Sequence, residues 1–119
     1  MKRDEIFLSH ILDSARKIGK AVRDMKTGIL PDDDNLTAIL SWHLTVIGEA
    51  TNNLSKGFKE KYKHEIPFRE IIGMRNFVVH EYFSVERKSV WDACTEDVPK
   101  LKRVLIKILK DEKNKRGKN

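Results

Sequence analysis

Arg75, Asn76, His80, Glu81 and Tyr82 bring five polar side chains of different chemistry into one short segment. Histidine titrates near neutrality and can take or give a proton. Arginine stays charged and offers two parallel donors to phosphate oxygens. Together they supply the parts of metal-free RNA phosphodiester cleavage: a base for the 2′-hydroxyl, an acid for the departing 5′-oxygen, and a fixed cation for the charge building on phosphorus. One Arg and one His at this spacing also occur in helical proteins where they only pack, so the residues alone leave a structural reading open. At about 100° per residue, Asn76 and His80 share one helix face and Arg75 and Tyr82 another, while Arg75 and His80 point about 140° apart. Convergence requires that the helix fray after Val79, or that a second chain supply partners across the groove of a symmetric dimer.

Other chemistries find no footing. The chain has one cysteine, and His10, His43, His64 and His80 lack paired ligand spacing, so no zinc pattern exists and no metal or other cofactor is expected. There is neither a glycine-rich phosphate loop nor a serine-nucleophile context. Asp32-Asp33-Asp34 could attract a divalent cation, but it fits better as the charged start of a helix.

The elements that must position the cluster read as helices. Phe7, Ile11, Ile18, Val22 and Met25, with Leu8, Leu12 and Ala15 beside them, predict a first helix over 4–25. Leu36, Leu40, His43, Ile47, Ala50 and Leu54 predict a second over 35–55, with His43 a packed residue whose polar atoms are satisfied. Trp42 and Glu49 are seven apart on a neighbouring face, where a carboxylate can pair with an arginine across an interface or face solvent. Residues 57–64 form a short polar turn or helix. Pro67 opens a third helix, over 67–79, in which Gly73 allows another helix to approach. Val90, Cys94, Val98, Leu101, Leu105 and Ile108 mark a last long helical stretch. Pro99 should kink it or begin a new helix capped by Asp97. The pattern is all-α, an antiparallel four- to five-helix bundle, with one domain over 1–110 and a basic, disordered tail over 111–119.

Charge is unevenly placed. The net charge is +6, but residues 100–119 carry nine Lys/Arg and two Asp/Glu, leaving 15 basic and 16 acidic side chains in residues 1–99. A basic end can gather RNA without sequence preference, or simply be solvated. No apolar run approaches a membrane span, Met1-Lys2-Arg3-Asp4-Glu5 lacks the apolar stretch of a signal peptide, and the lone Cys94 cannot form an internal disulfide. These features point to a cytoplasmic setting.

The segments Val46-Ile47-Gly48-Glu49-Ala50, Pro67-Phe68-Arg69-Glu70-Ile71-Ile72-Gly73-Met74-Arg75-Asn76 and His80-Glu81-Tyr82-Phe83 resemble the HepT family of HEPN-domain proteins. Val90-Trp91-Asp92 and Asp97-Val98-Pro99-Lys100-Leu101 fit as well, so the likeness runs from the first helix to about Leu109. Phe68 stands where the family typically has Trp. The resemblance implies a homodimer with Arg75 and His80 as catalytic residues in a cleft between protomers, and with Asn76, Glu49 and Glu81 as supporting groups. It implies metal-independent RNase activity that arrests growth, within a toxin–antitoxin pair. The implied partner is an MntA-type minimal nucleotidyltransferase antitoxin, which transfers AMP to the motif tyrosine, Tyr82. The alternative is a non-catalytic nucleotide- or substrate-binding subunit of a two-component nucleotidyltransferase, in which Arg75 and His80 hold a phosphate without cutting it.

Overall fold

The structure is a computed structural model that describes residues 2–24, 34–76 and 87–117, and every regular element among them is helical. The first two apolar stripes become α1 (Lys2–Arg23) and α2 (Asp34–Asn52). Acidic Asp4 and Glu5 open α1, and Lys20 and Arg23 close it, which complements the helix dipole. Leu8, Ile11, Leu12, Ala15 and Ile18 face Leu40, Leu44, Ile47 and Ala50 in a shared core. Asp4, in the first turn of α1, bonds Ser55, just beyond α2, so the two helices run antiparallel.

That same contact fixes the next element. Ser55 is the N-cap of α3 (Lys56–Lys61), and its hydroxyl oxygen accepts from the Phe58 N–H at 3.1 Å. The Ser55 backbone N–H and hydroxyl donate to the two Asp4 carboxylate oxygens at 2.8 and 2.7 Å. Asp4 is buried, and these bonds offset the cost of removing its charge from water. The second helix therefore stops at Asn52, three residues short of the expected end, because Ser55 is committed to capping the following helix. The short polar segment expected over 57–64 is helical as far as Lys61 and anchored by Phe58, which is buried.

The third predicted helix is shorter and tighter than periodicity suggests. It is α-helical over α4 (Phe68–Gly73) and then narrows to a 3₁₀ turn over Met74–Asn76; the remainder of the predicted range lies outside the described residues. The last stretch is α5 (Arg87–Asp92), a π-turn over Ala93–Asp97, and α6 (Val98–Gly117). Its six stripe residues, Val90 to Ile108, are all buried. Asp97 does not cap a new helix. The chain instead widens, with the Val98 N–H donating to the Ala93 carbonyl. Pro99 has no N–H for the Thr95 carbonyl and its ring would press on it, so a wider turn just before it relieves the clash. α6 packs on α1, and the π-turn touches both α1 and α2.

The expected disordered tail continues α6 through Gly117. Lys, Glu and Arg are good helix formers, and Glu112 ties this end to α3. It accepts from Lys61 Nζ at 2.7 Å and from the Tyr62 hydroxyl. Cys94 is buried in the core, and burial pushes its thiol up to about 12. No helix among the described residues is long and apolar enough to cross a membrane.

His43 departs from its expected role. It is partly buried on α2, but its Nδ1 is fully enclosed and has no hydrogen-bond partner among the described residues. Burial pushes its pKa down, Lys17 adds to that, and Asp13 opposes it.

Candidate functional site

Arg75 is held where α4 crosses α2. Both flanking elements are pinned: Ile71 and Met74 are buried, while Arg75 and Asn76 are exposed on the 3₁₀ turn that follows. The crossing is tight at Gly48. A Cβ built there would lie 2.5 Å from the Arg75 backbone nitrogen, 3.0 Å from Arg75 Cβ and 3.0 Å from the Ile72 carbonyl oxygen. Any larger residue would push the turn off α2, so Gly48 sets where the Arg75 backbone sits.

The sequence pattern pointed to Gly73 for this close approach. A Cβ at Gly73 meets nothing within 4 Å among the described residues, so the close approach within the chain is at Gly48. The signal was present, since a glycine beside the apolar stripe of α2 costs about 1 kcal/mol against alanine unless something needs the space. What crosses there could not be read from one helix.

The tighter turn also changes the face arithmetic. A 3₁₀ turn advances about 120° per residue, so the α-helical spacing used for Arg75 and Asn76 does not hold across Met74–Asn76. His80, Glu81 and Tyr82 lie outside the described residues. Glu49 follows the contact glycine and is exposed, and it forms no ion pair with Arg75 within the chain. Arg75 itself has no acidic partner among the described residues, which leaves its guanidinium available to an anion.

Beside this turn lies an open cleft of about 890 Å³ between α4 and the α5–α6 stretch. Ile71, Met74, Ala93 and Leu101 form apolar walls, and Glu65, Glu70, Asp92 and Asp97 bring carboxylates to it. Lys100 is its one basic lining residue among those described. Four carboxylates repel a phosphate, so a polyanion reaching Arg75 would not lie along this cleft. Among the described residues no three His, Cys, Asp or Glu side chains are grouped as metal ligands.

On the exposed face of α2, Ile39 and Trp42 are 52% and 60% exposed. They are three apart, and Glu49 follows Trp42 by seven on the same side. A tryptophan and an isoleucine left in water at helical spacing form an exposed apolar strip on α2, on a different face from the Gly48 crossing.

Residues 11–108 match the family model described as "Ribonuclease HepT-like". A protein of Caldanaerobacter subterraneus subsp. tengcongensis named "Putative RNase" is 34% identical over 113 residues, spanning 95% of this chain and 100% of the relative. Another "Putative RNase", from Methanocaldococcus jannaschii, is 36% identical over 115 residues, 96% of this chain and 98% of its own length. "Probable ribonuclease HepT" of Thermococcus cleftensis is 40% identical over 67 residues, covering 56% of this chain and 60% of that protein. No solved structure matches the chain.

Proposed function

Because this chain belongs to the HepT-like ribonuclease family, we propose that it is a metal-independent endoribonuclease toxin whose catalytic residues are Arg75 and His80. The observation that carries this reading is the seating of Arg75. Its backbone is clamped against Gly48, its side chain is exposed, and no acid within the described chain neutralises it. A guanidinium on a positioned backbone, with no acidic partner among the described residues, offers two parallel donors to a non-bridging phosphate pair as charge builds on phosphorus. His80 removes the 2′-hydroxyl proton and returns a proton to the 5′-oxygen, leaving a cyclic phosphate and a free hydroxyl. Asn76, Glu49 and Glu81 position these groups.

A second copy of the chain completes the site. The exposed Ile39–Trp42 strip on α2 supports a homodimer, because a second copy could remove this apolar surface from water. Two such turns facing one groove would set two Arg–His pairs around one substrate.

Regulation follows from the same charges. The antitoxin is a minimal nucleotidyltransferase that transfers AMP from ATP to the Tyr82 hydroxyl and releases pyrophosphate. The new phosphodiester anion occupies the place of the substrate phosphate and pairs with Arg75.

The deciding experiment is expression of the chain alone, wild type beside His80→Ala, following growth and RNA integrity together. The expected result is arrest and RNA cleavage with wild type and neither with the variant. Equal RNA integrity in both would assign the chain to the non-catalytic binding role.

A further inference from the structure

A run of exposed positive charge lies along one face of α6. Leu101, Leu105 and Ile108 turn α6 inward and are buried. Opposite them, Lys100, Arg103, Lys107 and Lys110 are exposed and follow one another by three, four and three residues. At about 100° per residue these four fall within an arc of about 80°. No acidic residue interrupts the sequence between Lys100 and Lys110. None of the four is in an ion pair among the described residues. Of the two acids further along α6, Glu112 is occupied by Lys61 and Tyr62 on the inner side, and Asp111, exposed and four residues after Lys107, marks the far end of the strip.

At about 1.5 Å per residue the strip is about 15 Å long. That matches about four stacked nucleotides at a rise of about 3.4 Å. Its first cation, Lys100, lines the same cleft as Gly73 and Met74, the residues just before Arg75. The carboxylates of that cleft, Glu65, Glu70, Asp92 and Asp97, deter a polyanion from entering it. The outer face of α6 is then the favourable approach. It is rich in lysine, a mobile point charge suited to following a backbone rather than reading base edges. It carries one large exposed apolar residue, Ile106, too little for the apolar core of a protein interface.

We propose that the outer face of α6, through Lys100, Arg103, Lys107 and Lys110, is a docking track for the sugar–phosphate backbone of RNA. The track lies outside the bond-breaking site and is indifferent to base sequence. It rests on reading the chain as an RNA-cutting protein, but it is a separate claim about where the strand lies.

The test uses the full chain with a triple substitution, Arg103→Gln, Lys107→Gln and Lys110→Gln. A matched control, Arg16→Gln, Lys20→Gln and Lys56→Gln, removes equal charge from exposed positions elsewhere. Glutamine keeps the helix propensity, and circular dichroism melts confirm folding. Binding of a fluorescein-labelled 20-nucleotide single strand is titrated against salt in a His80→Ala background. Cleavage of the long strand and of a dinucleotide, too short to reach the strip, is followed with His80 present.

Each phosphate contact on a single strand contributes about 0.7 to the salt slope, so the track variant should lose about 2 units of slope and about tenfold or more in affinity at low salt. Its dinucleotide cleavage should equal that of the parent, and the control should keep the parental slope. An unchanged slope, or an equal loss in the control, overturns the track. Unchanged RNA affinity with lost binding of poly-glutamate would reassign the face to an acidic protein and likewise overturn it. If the parent cuts neither substrate while the slope loss persists, the track stands and the catalytic reading falls.

Discussion

The backbone nitrogen of Arg75 rests so close to Gly48 that a Cβ at residue 48 would approach it to 2.5 Å. Glycine-to-alanine changes inside helices ordinarily stabilise by about 1 kcal/mol. Here the clash is with backbone, which cannot swing aside, so the sign reverses. Gly48→Ala should lower stability by roughly 1–3 kcal/mol and reduce activity by displacing Arg75. Gly73→Ala, with nothing within 4 Å, should raise stability by up to about 1 kcal/mol. Urea denaturation of both variants checks the pair. Equal and same-signed shifts would mean the crossing is looser than described.

Arg75→Ala should abolish RNA cleavage, and Arg75→Lys should restore only part of it, because a point charge lacks the paired donors. Cleavage should be indifferent to EDTA. Loss of activity in chelator, with recovery on adding magnesium, would rule against a metal-free reaction.

The two tyrosines should separate cleanly. The Tyr62 hydroxyl is held by the Glu112 carboxylate, and its pKa is raised, first by burial and then by that bond. Tyr62→Phe should cost about 1 kcal/mol of stability and leave neutralisation by the nucleotidyltransferase intact. Tyr82→Phe should stay folded and toxic but escape neutralisation. Intact-mass spectrometry with antitoxin and ATP should show AMP-sized additions on wild type and Tyr62→Phe, and none on Tyr82→Phe. Additions that survive Tyr82→Phe would place the modification elsewhere.

Asp4 and Ser55 should behave as one unit. Ser55→Ala leaves one oxygen of the buried Asp4 carboxylate without its hydroxyl donor, while the residue-55 N–H still donates to the other, and should cost roughly 1–3 kcal/mol; Asp4→Ala removes both bonds and should cost a similar amount. The double variant should lose clearly less than the sum, since both single changes remove the same bond from the Ser55 hydroxyl to the Asp4 carboxylate. Additive losses in a thermal double-mutant cycle would show that the two contribute independently.

His43 gives the fold a pH dependence of known sign. Its folded pKa lies below the ordinary value of 6.5, with burial the main cause and Lys17 adding to it. The unfolded chain then binds the proton more readily, so this group's contribution is present above about pH 6.5 and falls away as the pH drops below it. Thermal melts at pH 7.5 and 5.5 should show a smaller loss for His43→Leu than for wild type, and a higher melting point at pH 7.5 because the orphaned Nδ1 is gone. An identical pH response in the two proteins would contradict this.

The apolar stripes were legible because burial repeats with the helix. The stripe from Val90 to Ile108 is buried throughout, and most of the first two stripes are as well. Contacts between distant positions were not legible. Asp4 reads as an ordinary acidic residue at a helix start, and its partner is 51 positions away. The role of Gly48 depends on which backbone crosses it. Pro99 announced an interruption, and the chain met it with a π-turn rather than a fresh cap by Asp97, with the stripe buried on both sides. For the site, Arg75 and Asn76 are placed on an exposed turn as a catalytic reading needs. The parts assigned to His80, Glu81 and Tyr82 rest on residue type, spacing and family likeness.

The enclosure of Cys94 has a practical corollary. A thiol held near 12 and walled into the core is closed to alkylating reagents while the chain is folded. It becomes reactive when α5 and α6 part from α1. The rate at which a maleimide attaches to the unaltered protein is thus a clock for that opening, needing no introduced label. A cysteine engineered on the outer face of α6 could also be tagged in the folded state with a silent background.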